Sequence, residues 1–441
     1  MSMDYLAAAV PVTLALGVGA ILLVLRWTYC RRRTSAEEAR LPPGSRGLLF
    51  LGETLHYLAA SSTPGVLPPF FQRRLERYGP IFRTNLVGED LVVSLDAELN
   101  AHVLKQEERG FQIWYPPSFM RVFGADNITA KLGVLHRHMR TLVLRLFGHQ
   151  TVRSVLLHDV QRSARDELRS WLGRPDVEVR TATSRMIFGV TANKLISHDD
   201  AASGGTLWRC FHDWTSGLLS FPVSIPGTTF YRCMQGRKKV MTMLKQQLVE
   251  RRRNAAERET TEDFFDLVID ELNKPDPMMD ESTALDLLFT MLFASHETTS
   301  MVIHESLRLA NIALAMFRKA NQDVHINGYT IPKGSKIMMC ALASHLNTEV
   351  YEDPSVFNPW RWKDIPEPVG TSKDFMAFGG GLRLCAGAEF SKMQMAMFLH
   401  YLVTNYSWKP VSGGTMLFYP GLQFPEGFHI QLLPKIPNVV P

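Results

Sequence analysis

Apolar residues recur at helical spacing along most of the chain, and only a few short runs alternate as strands do. The spacing predicts helices over Pro68 to Tyr78, in the run after Gly133, around Val160 to Leu172, and through MTMLKQQLVERRRNAAERE. AEFSKMQMAMFLHYLV, just past Gly387, reads as a further amphipathic helix. IFRTNLVG with LVVSL reads as a hairpin. VHINGYTIPKGSKIMM reads as a second one, turned at Asn327-Gly328, residue types that accept the left-handed backbone of a two-residue turn. The pattern implies a mostly α protein with a minor β-sheet, free of internal repeats and low-complexity tracts.

The N-terminus follows a different rule. Tyr5 to Leu25 is an uncharged run, long enough for the ~20 residues a bilayer-spanning helix needs. It follows Asp4 and ends in Arg26, Arg31, Arg32 and Arg33, whereas a cleaved signal peptide starts basic and has a shorter apolar core. Residues 1–33 are therefore predicted to form a retained anchor whose arginines stay on the cytosolic side. LPPGSRG, at 41–47, cannot continue a helix, so residues 34–47 read as a stiff hinge and 48–441 as the globular unit.

Composition narrows the classes. With 441 residues and 46% hydrophobic content the chain can bury a large core. Its 48 basic against 43 acidic residues, a formal +5, are too balanced and dispersed for a nucleic-acid footprint. Cys30, Cys210, Cys233, Cys340 and Cys385 include no C-x-x-C pair, which points to a reducing compartment.

One stretch breaks the periodic pattern. FGGGLRLCAG, residues 378–387, sets four glycines around Arg383 and Cys385 immediately before the amphipathic helix. A sulfur near a helix N-terminus faces N–H groups and a dipole that favour the thiolate, which is a metal ligand. With no second soft ligand nearby, a single axial thiolate to haem iron fits better than a multi-cysteine site. The glycines would let backbone approach a flat macrocycle, Arg383 could meet a propionate, and Phe378 would shield the sulfur. The plain alternative is a glycine-rich turn around an inert cysteine.

Phe378, Gly381, Arg383, Cys385 and Gly387 meet F-x-x-G-x-R-x-C-x-G, and the stretch resembles the haem-binding loop of the cytochrome P-450 monooxygenases. Other segments resemble the same family. FASHETTS is similar to the oxygen-activating groove of its long central helix, with Ser295 where glycine is usual. The resemblance gives Glu297 and Thr298 the role of relaying protons; alone, such residues on a helix are more often a solvated or capping patch. Glu305, Arg308 and Arg361, in ESLR and EDPSVFNPWRW, resemble a buried structural charge cluster beneath the haem loop. By the same resemblance Arg318 binds a haem propionate, and His136 with Arg140 forms a further propionate pair, for which a surface basic helix is the alternative.

LPPGSRG, PGTTFYRCMQGRKKV, ESLRLANI and FNPWRW look like the plant eighty-five clan, nearest its family eighty-seven. That resemblance implies a P-450 fold behind a single transmembrane helix, in the endoplasmic reticulum membrane with the catalytic domain cytosolic. It implies hydroxylation of a steroid, sterol or triterpenoid-like lipophilic substrate, with electrons from an NADPH-dependent flavoprotein reductase and no nucleic-acid partner. A haem-thiolate peroxide isomerase is a narrower alternative, against which the acid–hydroxyl pair argues.

One feature departs from the family. Thr298 and Glu305 stand only seven positions apart, about 10 Å along one helix, where the family places tens of residues. The fold is expected to be incomplete here. If the motifs fuse into one helix, the Glu305–Arg308–Arg361 cluster is pulled out of register and haem binds poorly. Otherwise the central helix breaks after Thr299. A non-catalytic truncated isoform with impaired haem binding is the corresponding alternative.

Overall fold

The computed structural model describes Gly17, Gly19, Ile21 and residues 41–435, except 49–50, 60–62, 125, 149–150, 153–155, 201, 218–219, 221, 255–262, 295–300, 313–314, 364–371 and 420. Most of the Tyr5 to Leu25 run lies outside these residues; among those described, no helix is long and apolar enough to cross a membrane. The proline-rich stretch is extended, as expected of its composition, but docked: the Arg83 N–H donates to Pro43 O at 2.7 Å, and Arg83 Nε to Pro42 O at 2.6 Å.

Among the described residues, helices far outweigh strands. Pro69–Tyr78, Gly133–Phe147, Leu157–Trp171 and Ala388–Asn405 form where the periodicity places them. The predicted MTMLKQQLVERRRNAAERE helix is displaced toward its N-terminus, running Thr229–Arg253. It starts there because the Thr228 hydroxyl accepts the Tyr231 N–H at 3.1 Å, supplying one of the bonds a first turn lacks. Val179–Ile196, Thr206–Ser216, Phe264–Leu272 and Glu281–Ala294 pack with it around Phe188, Phe211, Trp214, Leu244, Phe265 and Phe289, all buried. Phe390 joins this core, and Ala386 packs on it. The cysteine loop is thereby pinned to the helical body.

The minor sheet has five strands in the order Ile81–Leu86, Glu89–Ser94, Lys336–Met339, Met316–Ala320, Phe111–Ile113. Its first pair is the predicted hairpin, Ile81 opposite Ser94. Val87 and Gly88 both take positive φ at its turn, 53° and 80°. In the second predicted hairpin, Val324–Ile326 pairs with Tyr329–Ile331 through Asn327 and Gly328, also at positive φ. Its tail does not stay with it: Lys336–Met339 crosses into the main sheet, parallel to Glu89–Ser94 and antiparallel to Met316–Ala320. On the latter strand Met316, Arg318 and Ala320 share the buried face, as the two-residue period of a strand requires.

In the segment FTMLFASHETTSMVIHESLRLA, 289–294 lie in the helix Glu281–Ala294 and 301–310 form the helix Met301–Ala310, while 295–300 are not among the described residues. The expected loss of register does not occur, because the second helix is held by the bonds of its own charge cluster.

Candidate functional site

The cysteine loop is folded by its glycines. The Cys385 N–H donates to Phe378 O at 3.0 Å and closes the loop, and Gly379 and Gly381 take φ of 78° and 62°. A Cβ on Gly381 would stand 2.3 Å from Leu104 O, so only glycine fits both the angle and the contact. After the 3-10 turn Gly381–Arg383 the chain enters the Ala388–Asn405 helix. Cys385 is a free, exposed thiol. A Cβ added at Gly387 would meet nothing nearer than Cys385 Sγ, at 4.0 Å, so backbone and sulfur border the same open space.

Protein atoms nevertheless surround the recess, and burial pushes the Cys385 thiol up. The N–H groups of Gly387 and Ala388, with the Arg140 guanidinium, pull it back without winning. The helix terminus thus acts in the direction expected from the sequence, against burial; metal coordination deprotonates such a thiol outright.

Cations converge beside the sulfur. Arg140 Nη1 donates to Leu384 O at 2.5 Å. Arg383, two residues before the cysteine, donates from Nη2 to Lys131 O at 2.7 Å, from Nη1 to Ile128 O at 3.2 Å and from Nε to Glu107 Oε1 at 2.6 Å. Arg318 donates from Nε and Nη2 to Glu107 Oε2, at 3.1 and 2.8 Å. One fully buried carboxylate thus bridges the loop arginine and the strand arginine. Tyr115 stands in the field of all three, its phenol pushed up by burial.

His136 is buried and Arg140 half-buried, which overturns the surface-helix alternative for LHRHMR. The outward residue of that segment is Arg137, paired with Glu108 at 2.9 Å. His136 Nδ1 is a buried polar atom without a partner among the described residues. Burial, helped by Arg383, pushes this imidazole down to about 4, so it is neutral. An orphaned ring nitrogen, three guanidiniums and an open cysteine suit a group that brings a metal and carboxylates together, and haem is such a group.

Below the loop, Glu305 and Arg308 are completely buried. Arg308 donates from Nη2 to Glu305 Oε1 at 2.7 Å and from Nε to Oε2 at 2.9 Å. Arg361 Nε donates to Oε1 at 3.1 Å, Trp362 Nε1 to Oε2 at 3.0 Å and the Asn358 N–H to Oε1 at 2.9 Å. Burial pushes the Glu305 carboxyl up, but these donors outweigh it and hold it below the usual range. Leu307, Tyr351, Trp362 and Phe375 pack together here, and Phe378 rests on them, so the cluster supports the loop as expected. Glu297 and Thr298 lie outside the described residues.

Sequence reasoning missed Glu107 and Tyr115. QEERG reads as a solvated charge run, and nothing local distinguishes buried Glu107 from Glu108, which pairs with Arg137. It also missed His345, which accepts the Met376 N–H on Nε2 at 3.0 Å and is pushed down to about 3, chiefly by burial.

Both imidazoles have an ordinary value of 6.5, so below that pH the unfolded chain binds protons that the folded chain refuses. Their contribution to stability is present above pH 6.5 and is lost as pH falls through about 4 for His136 and about 3 for His345. The urea midpoint is expected to drop steadily on acidification from pH 6.5, with a shallower slope in His136→Gln. Identical slopes in parent and variant would contradict the assignment.

The family model for Cytochrome P450 matches the chain in two pieces, residues 42–303 and 299–426. "Cytochrome P450 87A3" of Oryza sativa subsp. japonica is 45% identical over 462 aligned positions, covering 93% of this chain and 89% of that protein. "Cucurbitadienol 11-hydroxylase" of Siraitia grosvenorii is 33% identical, covering 96% and 99%. Among solved structures, "Retinoic acid bound cyanobacterial CYP120A1" superposes with a TM-score of 0.78 at 23% identity over 90% of this chain and 99% of its own, a likeness of fold. The cysteine loop, the charge cluster and these matches converge: the chain belongs to the cytochrome P450 family, is nearest its family eighty-seven, and is a monooxygenase of the kind that uses haem with a cysteine thiolate on the iron.

Proposed function

We propose that this chain hydroxylates a steroid, sterol or triterpenoid-like substrate with electrons from an NADPH-dependent flavoprotein reductase. The observation that carries the reading is the open Cys385 beside Arg140, Arg318, Arg383 and neutral His136. Cys385 holds the iron, and the three arginines with His136 face the propionates. Haem bound there supplies the activation of dioxygen and the transfer of one oxygen atom to a substrate carbon. The substrate class rests on the family, whose Siraitia member acts on cucurbitadienol, a triterpenoid. Incubation with reductase, NADPH and a sterol and triterpenoid panel is expected to give a singly oxygenated product; turnover confined to unrelated fatty acids would overturn the class.

In this reading Glu297 takes protons from solvent and Thr298 Oγ1 hands them into the site. Thr298→Ala should retain the haem spectrum while product formed per NADPH falls at least tenfold, within the ~100-fold or more typical of general acid–base groups. Undiminished product would sink the relay. Residues 1–33 serve as the anchor to the endoplasmic reticulum, with residues 48–441 on the cytosolic side.

The two family matches meet at residues 299–303, and the 462-position alignment exceeds the 441 residues of the chain. The alignment length fits a chain shorter than its relative, and the junction of the two family matches supports placing the difference near the Thr298-to-Glu305 join. The assembled charge cluster and cysteine loop argue that the short join lowers turnover more than haem content. The non-catalytic, haem-poor alternative gains no support from them.

A further inference from the structure

We infer that Glu107 is the positioning residue of the propionate site: it fixes Arg318 and Arg383 at the angle from which they receive the haem carboxylates, and trims the charge of that site. The inference rests on the reading that these arginines face the propionates. It comes from the bridge itself, in which Oε2 takes two N–H groups of Arg318 and Oε1 takes one of Arg383. Backbone carbonyls of Phe317, Ile128 and Lys131 take one further N–H each. A guanidinium offers five N–H groups, so each arginine is held by three and keeps two for a further acceptor.

Charge points the same way. Around the recess stand Arg140, Arg318 and Arg383 against Glu107, with His136 neutral, Glu108 engaged by Arg137 and Lys131 engaged by Asp126 at 2.7 Å. The remaining sum is two positive charges, which matches the two propionates of haem. Without Glu107, guanidiniums 2% and 11% exposed would face each other with no counter-charge. They would separate toward other acceptors, because a buried ion is unstable without its partner. Removing the bridge therefore costs more in lost orientation than the extra positive charge returns in attraction.

The test compares haem with its dimethyl ester, which has the same ring and iron but no ionised propionate. The full chain is freed of haem, reconstituted with either compound, and followed as excess apomyoglobin captures what dissociates. The parent should lose the ester about 10- to 100-fold faster than haem, as one charge-assisted hydrogen bond implies. In Glu107→Gln that ratio should fall by about tenfold, within the range of coupled neighbours. A general weakening of the fold would speed both compounds alike and leave the ratio at the parent value. An unchanged or larger ratio overturns the role of Glu107. If the parent itself shows no ratio, the arginines do not face propionates and the underlying reading fails instead. Glu107→Asp, which keeps the charge but is one methylene too short to span both arginines, is read the same way if the glutamine variant yields no folded chain.

Discussion

Replacing Glu305 with alanine is expected to lower folding stability by about 3–5 kcal/mol, the cost of breaking a buried ion pair by removing one partner. Its carboxylate accepts from two guanidiniums, an indole N–H and a backbone N–H. Arg308 would retain the carbonyls of His345 and Pro354, each at 2.7 Å, but its full charge would be left completely buried without a counter-charge. The damage should reach the cofactor, because Phe378 of the cysteine loop rests on Leu307, Trp362 and Phe375 around this cluster. Urea unfolding monitored by tryptophan fluorescence should give a clearly lower midpoint, and purified protein should carry less haem. An unchanged midpoint would mean that the cluster adds little, as exposed ion pairs do.

Replacing Cys385 with alanine is expected to separate folding from function. The side chain is exposed and its sulfur borders open space, so removing it leaves no cavity in a packed core. The loop is held by backbone, through the Cys385 N–H to Phe378 O and Leu384 N–H to Gly381 O at 3.2 Å, and alanine preserves both bonds. Stability of the haem-free chain should stay within about 0.5 kcal/mol of the parent, as for other surface positions. Product formation with reductase and NADPH should fall to background, since no other sulfur stands in the loop. Cys340 and Cys233 are buried, their thiols pushed up to about 11 and about 12, and Cys210 packs on the helical core. Substantial turnover by the alanine variant would require a different ligand.

What could be read from the chain was what depends on near neighbours. The Asn327-Gly328 turn, the helix after Gly387 and the glycine-framed cysteine are local, and the structure places each as its residue types require. Arg308 three residues after Glu305 was equally visible, yet its weight comes from Trp362 and Asn358, whose approach depends on the tertiary fold. The sheet was harder. Lys336–Met339 follows its hairpin in sequence but leaves it for Glu89–Ser94, because four successive residues, three of them buried, extend that sheet and fill its core. Glu107 was invisible for a related reason: its partners lie on a distant strand and a distant loop, and two adjacent glutamates carry no local sign of which one faces inward. The short join between the two central motifs does not pull the charge cluster out of register, contrary to the expectation for a fused helix. The buried bonds of Glu305 and Arg308 hold the Met301–Ala310 helix in place.

The most direct test of the central claim, that Cys385 binds haem iron as a thiolate in this chain, is the carbon-monoxide difference spectrum of the reduced full-length protein, made in membranes with ample haem precursor. The account predicts the strongly red-shifted Soret band of thiolate ligation in the parent and its absence in Cys385→Ala. A parent protein that is present and folded but shows no such band, or a band that survives in the alanine variant, would contradict it.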